Sequence, residues 1–264
     1  MLSGIQLIRI LIATLLFTIA SWQDWKRREI DDEIWIAMTL IGIPLLIYEI
    51  WIRGLGSWFI LAMVSITSSI TIGLALYKLD FFGGADAKAI ISLSILMPLI
   101  PEELTLKFKT HQLTSIATFN NSILISVIPT VYLLIKNIRR IINGEKIFQG
   151  LEDENILKKI LALITGCRIH LKELKNRRFM YPVEEFTFNG NVIKRRLNVK
   201  IGVSIGEERY MKTIEMYEKG IIDGYVWVTP ALPLIIFIYI GMLIAIVYGD
   251  IIFKLAITLS RATI

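Results

Sequence analysis

Phe81-Phe82-Gly83-Gly84-Ala85-Asp86-Ala87-Lys88 lies between two long apolar runs, where one membrane span would end and the next begin. A carboxylate placed where a membrane span ends is costly unless it has a task. Three residues with almost no side chain precede it. Gly83, Gly84 and Ala85 let another backbone approach closely, and the two glycines open conformations closed to other residues. That space suits an extended peptide laid beside Asp86, which makes the three small residues candidate substrate-binding positions. The plainer alternative is a tight turn between helices, with Asp86 capping a helix that begins at Ala87. A second acid, Asp24, closes the first apolar run, and membrane topology brings it to the same side.

Outward from this stretch, composition sets the class. A chain of 264 residues that is 55% hydrophobic is too apolar for an ordinary soluble domain, yet 20% of it is charged, so charge is segregated from the apolar runs. The single cysteine, Cys167, excludes a disulfide framework and a zinc site built on cysteine pairs, and two histidines are too few for a histidine-rich metal site. A net charge of +6 reads as basic cytoplasmic loops of a membrane protein, with no nucleic acid as partner.

The first apolar run, Leu2 to Trp22, is interrupted only by Arg9 and is long enough for a hydrocarbon layer of about 30 Å. It is longer than a signal-peptide core, and its stronger positive charge follows it. That charge, Lys26-Arg27-Arg28, places Asp24 at the cytoplasmic surface and the N-terminus outside. The acids Asp31, Asp32 and Glu33 precede a second run, Ile34 to Ile52. They suit the N-terminus of its helix, or they hold a basic substrate segment beside Asp24. A third run, Trp58 to Leu79, carries Ser65, Thr67, Ser68, Ser69 and Thr71 as helix-packing hydroxyls. Ala87 to Ile100, limited by Pro98 and Pro101, reads as a short or tilted fourth span. Leu113 to Ile135 makes a fifth. Tyr225 to Pro230 returns into the membrane, and Ala231 to Tyr248 makes a sixth.

Between spans five and six the composition changes. Lys136 to Lys219 holds 18 of the 29 Lys and Arg residues, so this stretch is expected to be a water-exposed cytoplasmic domain. Leu151 to Ile164 has helical spacing, Asn189-Gly190 between β-formers reads as a hairpin turn, and Asn198 to Ile205 alternates like a further strand. The expected layout is a membrane domain over 1–135, a small α+β cytoplasmic domain over 136–225, and a last span with the C-terminus over 226–264. Its Glu152-Asp153-Glu154, Glu184-Glu185 and Glu207-Glu208 groups read as solvated faces.

Gly83-Gly84-Ala85-Asp86-Ala87-Lys88 resembles the GxGD-type motif of type IV prepilin and archaeal preflagellin peptidases. Asp24-Trp25-Lys26-Arg27-Arg28-Glu29-Ile30 resembles that family's other aspartate motif, and Val226-Trp227-Val228-Thr229-Pro230 with Pro233 resembles the last span of its archaeal members. One departure is Ala85, where the motif usually has Gly. The resemblance implies a polytopic α-helical aspartyl endopeptidase with Asp24 and Asp86 catalytic. It would remove the short basic leader of preflagellin (archaellin) subunits at the cytoplasmic face of the cell membrane, before their export and assembly. Bacterial relatives often add an N-methyltransferase and a zinc-cysteine region; one Cys and no long loop after the first span imply a peptidase alone, without cofactor or metal.

Two carboxylates brought together do not both ionise easily, so such a pair holds one proton and supplies a base and an acid at once. The sequence leaves open which Asp takes which role, and it leaves the oligomeric state open. Alternative readings are a prepilin peptidase acting on type IV pilin-like precursors, a presenilin-type intramembrane protease, and a membrane transporter or scaffold. Presenilin-type chemistry would require the partner Asp inside a span after a Tyr, whereas Asp24 follows Gln23 at a span's end. Transport through a polar pathway would leave several ionisable residues mid-span.

Overall fold

The computed structural model describes residues 4–79, 83–101, 104, 110–177, 179–189, 192–198 and 203–262. Phe81, Phe82 and the neighbouring Asp80 lie outside them. The chain divides into two compact units, one of Met1–Ser126 with Pro233–Ile264 and the other of Val127–Leu232.

The first unit is helical. Its α1 (Gly4–Arg27), α2 (Glu33–Arg53) and α3 (Ser57–Lys78), and α5 (Thr114–Ile142), which runs from the first unit into the second, are long and apolar enough to cross a membrane. At about 1.5 Å per residue each exceeds the roughly 30 Å of hydrocarbon. The helices α9 (Leu234–Tyr248) and α10 (Ile251–Ala262) are bent by 56° at their junction, and count as a fifth span if taken together. Leu7, Leu11, Leu15, Leu40, Ile60 and Val64 are exposed apolar residues on α1 to α3, an arrangement suited to lipid rather than water.

The helix α4 (Gly84–Leu96) departs from the expected fourth span. Its 13 residues reach only about 20 Å, because the chain leaves the helix before Pro98. Asp86, Ala87, Ala89, Ile90, Ser92, Leu93, Ser94 and Leu96 are all buried, so α4 is enclosed by its neighbours. Leu93 and Leu96 share one core with Phe17 of α1, Met38 of α2 and Met242 of α9. Gly42 of α2 makes this close packing feasible, since a Cβ there would stand 2.7 Å from the Leu96 Cα. The span count is therefore four or five rather than six among the described residues. The hydroxyls of Thr67, Ser68, Ser69 and Thr71 bond carbonyls of their own helix, as expected of packing residues.

In the second unit β1 (Cys167–His170), β5 (Tyr225–Pro230) and β2 (Met180–Pro182) form an antiparallel sheet with β5 at its centre. The residues Tyr225–Pro230, expected to return into the membrane, are thus a strand of the second unit. A short run such as Val226-Trp227-Val228 is equally apolar when both faces of a strand are covered, and all three residues are fully buried. The expected hairpin forms from β3 (Glu184–Asn189) and β4 (Val192–Leu197), with Gly190 and Asn191 outside the described residues. Helix α6 (Ile156–Thr165) starts later than its spacing implied, because the Asn155 side chain accepts the Leu157 N–H and caps it. Of the strand expected at Asn198 to Ile205, residues 199–202 lie outside the described set, and its described end is helical, since Val203 opens helix α8 (Val203–Glu218). Glu184 is another correction, being buried rather than solvated. Arg195 donates to both its oxygens at 2.8 and 2.9 Å, and the Trp227 N–H donates at 2.7 Å. Burial pushes the Glu184 carboxyl up, while Arg195 and the Trp227 N–H pull it down.

Candidate active site

Asp24 occupies the last turn of α1 and is buried. Its Oδ2 accepts the N–H of Ile235 at 3.0 Å. Ile235 is the second residue of α9, where a backbone N–H has no partner within its own helix, so the carboxylate satisfies an orphan donor at the positive end of the helix dipole. Arg28 follows α1 with φ 58°, a left-handed conformation that is uncommon for a residue with a side chain. Its Nη1 stands 3.7 Å from Asp24 Oδ1.

Asp86 is the third residue of α4 and is also buried. Its Oδ2 accepts the Gly83 N–H at 3.0 Å. The helix begins at Gly84 rather than Ala87, so Asp86 sits inside its first turn and reaches back to fix the preceding loop. Each acid thus spends one oxygen on a backbone N–H. Asp86 Oδ1 has no hydrogen bond among the described residues. Ala20 of α1 and Ala89 of α4 belong to one core, and Arg9 near the start of α1 reaches the Leu96 carbonyl at the end of α4, so the two helices run antiparallel and Asp24 and Asp86 stand at the same end of the pair.

The small residues before Asp86 differ in what they require. A Cβ at Gly83 would stand 3.2 Å from Asp86 Oδ2, tighter than an ordinary contact, while its φ of −68° is open to any residue. A Cβ at Gly84 would meet only Tyr77 Cε2, at 3.7 Å. Space is therefore tight at Gly83 and adequate at Gly84, and Ala85 is half-buried beside them.

The acids expected near the first site residue already have partners in this chain. Asp31 accepts from Gln23 Nε2 at 2.7 Å and from Arg27 at 3.1 Å. Asp32 is the N-cap residue of α2, yet its side chain makes no cap; Lys88 donates to its two oxygens at 2.6 and 2.8 Å. Through this pair α4 is tied to the start of α2, two residues beyond Asp86. Glu33 lies exposed in the first turn of α2.

Sequence reasoning did not foresee several partners. Arg28 and Lys88 stood inside the quoted motifs as mere basic residues, and only the fold sets them against Asp24 and Asp32. The Ile235 N–H left no signal, because a backbone donor has no letter in a sequence. Another buried acid, Asp250, lies between α9 and α10. It accepts from Asn120 Nδ2 at 2.7 Å and pairs with His111 Nε2 at 2.8 Å. Leu113 N–H donates to His111 Nδ1, which leaves Nε2 to carry the proton toward Asp250.

Comparison with known proteins covers both segments. The type IV leader peptidase family matches residues 11–131, which contain Asp24 and Asp86, and the archaeal peptidase A24 C-terminus of type II matches residues 158–251. A preflagellin peptidase from Methanococcus maripaludis is 29% identical, over 92% of this chain and 96% of its own length. One from Methanococcus voltae is 26% identical, over 90% and 94%, and one from Methanocaldococcus jannaschii is 24% identical, over 92% and 95%. Two family segments are thus matched in order, with residues 11–131 similar to the type IV leader peptidase family and residues 158–251 to the archaeal peptidase A24 C-terminus, and relatives named preflagellin peptidase align along nearly the full length of the chain.

Proposed function

We propose that the protein is a membrane aspartyl endopeptidase that removes the short basic leader of preflagellin subunits, with Asp24 and Asp86 as its catalytic pair. The observation that carries this reading is that two buried acids, on helices packed in one core, stand at the same end of that core, each anchored through one oxygen on a backbone N–H. A buried carboxylate is expensive in a helical bundle, and two together are hard to account for without chemistry. The ionised member draws a proton from water as that water attacks the scissile carbonyl. The protonated member hydrogen-bonds the carbonyl oxygen and then helps protonate the leaving amine. Neither step calls on a metal, a cofactor or a covalent intermediate.

Gly83, with Gly84 and Ala85 in the first turn of α4, lies next to Asp86, and there we place the extended substrate backbone. Asp31, Asp32 and Glu33 supply acid near a basic leader, although Asp31 and Asp32 must first release the Arg27 and Lys88 that hold them. We place this site at the cytoplasmic face with the N-terminus outside, on the charge imbalance of the loops, and assign no methyltransferase step. The names of the relatives favour preflagellin over pilin-like precursors. Membranes holding the protein should shorten a preflagellin and leave a type IV prepilin intact. Cleavage of the prepilin alone would reverse the substrate assignment.

A further inference from the structure

The end of α1 away from Asp24 carries a second buried charge cluster that the peptidase reading does not use. Arg9 lies 15 positions before Asp24, which on a helix is about 22 Å. It is 2% exposed. Its Nη1 donates to the Leu96 carbonyl at 2.5 Å, where α4 ends, and its Nη2 is paired with Glu49 Oε2 at 2.8 Å. Its Nε–H has no hydrogen-bond partner among the described residues. Arg53, one turn beyond Glu49, places its Nη2 3.1 Å from Glu49 Oε1 and its guanidinium over the ring of Trp58.

Two guanidinium groups therefore share one carboxylate. Among the described residues the cluster holds a surplus positive charge, together with a buried donor that is costly to leave unmatched. Beside it is a cavity of about 320 Å³, lined by Arg9, Glu49, Arg53, Ser57 and Trp58 and by the loop from Pro98 to Pro101. That volume suits a compact polar group. A planar guanidinium recognises phosphate oxygens through parallel N–H bonds, and Arg53 and Ser57 bring further donors to the same opening. The cluster lies where α1, α2 and α3, three helices long enough to span a membrane, come to their ends.

From this geometry we infer that the Arg9–Arg53 cavity is an anion site for a phosphate-bearing group, filled by a phospholipid headgroup or by free phosphate. The anion neutralises the surplus charge and completes the Arg9 hydrogen bonds. Occupied, the site joins α1, α2 and α4 at the end of the bundle remote from the aspartates.

The test uses the full-length protein, purified in an uncharged detergent and stripped of lipid, with calorimetric titration as the readout. The probes are inorganic phosphate, dihexanoyl phosphatidylglycerol, and dihexanoylglycerol as the phosphate-free control. One equivalent of phosphatidylglycerol should bind and dihexanoylglycerol should not. Binding of inorganic phosphate as well identifies free phosphate as a sufficient ligand; binding of phosphatidylglycerol alone identifies the lipid. Arg53→Gln should weaken binding about tenfold or more, as loss of a charge-assisted hydrogen bond predicts. Arg9→Met with Glu49→Met replaces the buried pair by side chains of similar length, keeps the core filled and should abolish binding. Absence of binding by both anions, equal binding of the control, or unchanged affinity in both variants would overturn the site. Because the readout is binding, this result stands apart from any result on peptide cleavage.

Discussion

Buried charge is concentrated in the first unit of the chain. In the second unit ion pairs such as Lys175–Glu218, Arg177–Glu173 and Lys219–Glu215 sit on the surface with both partners about half exposed. Water would serve these groups nearly as well, and such pairs contribute little. In the first unit Asp24, Asp86, Arg9, Glu49 and Asp250 are all buried, and each is held by a backbone group or a side chain from elsewhere in the chain. A surface charge can thus be read as solubility, whereas a buried charge between apolar helices calls for a task. Glu184 is the exception that makes the rule physical: buried in the second unit, it too is fully engaged, but by partners that tie a hairpin to a sheet.

The sharpest way to break this contrast is at the two aspartates. Asn preserves the shape of each and can still accept the Ile235 or Gly83 N–H, so Asp24→Asn and Asp86→Asn should fold and accumulate. Each should lower the rate of leader removal by about a thousandfold or more, and the double variant should lose little beyond either single one, because the pair acts as a unit. Asp80→Asn should retain most activity in the same assay. A dead Asp80→Asn beside an active Asp86→Asn would remove the assignment.

Next in size is a change that should spare the chemistry and strike the second unit. Trp227→Ala empties the centre of β5, where the ring stacks on Phe148 and its Nε1–H donates to the Ile147 carbonyl. It should cost about 3–5 kcal/mol, read as a lower melting temperature and faster nicking of residues 127–232. Retention of the wild-type melt would show that this strand is not the core of its unit. Gly42→Ala tests packing in the first unit. The added methyl would press on the Leu96 backbone, and a loss of about 1–3 kcal/mol follows.

The smallest expected effect lies between the two kinds of charge. Asp31→Asn, Asp32→Asn and Glu33→Gln together should raise the KM for precursor several-fold at low salt, less at high salt, and leave kcat nearly unchanged. An unaltered KM would restrict these acids to holding Gln23, Arg27 and Lys88. A control at Lys219→Ala should move neither melting temperature nor cleavage, as its partner Glu215 is solvated.

Much of this could be read in the sequence because hydrophobic length is a local property. The runs that became α1, α2, α3 and α5 were visible as such, and the acids at 24 and 86 stood out by position and by resemblance to a known pair of motifs. The fourth run misled because span length depends on where the helix ends, and α4 is buried by its neighbours rather than stretched across lipid. Tyr225–Pro230 misled for the converse reason, a strand covered on both faces having the composition of a membrane segment. Partners for the charges were beyond reach, since Arg9 with Glu49, Lys88 with Asp32 and His111 with Asp250 are separated by 40 to 139 positions.

The hydrogen bond that fixes Asp24 comes from Ile235, 211 residues later. A growing chain therefore carries both aspartates long before it carries the helix that anchors the first. Until α9 has been made and docked on α1, Asp24 has no backbone donor to hold it, and a partly synthesised protein is expected to be unable to cut.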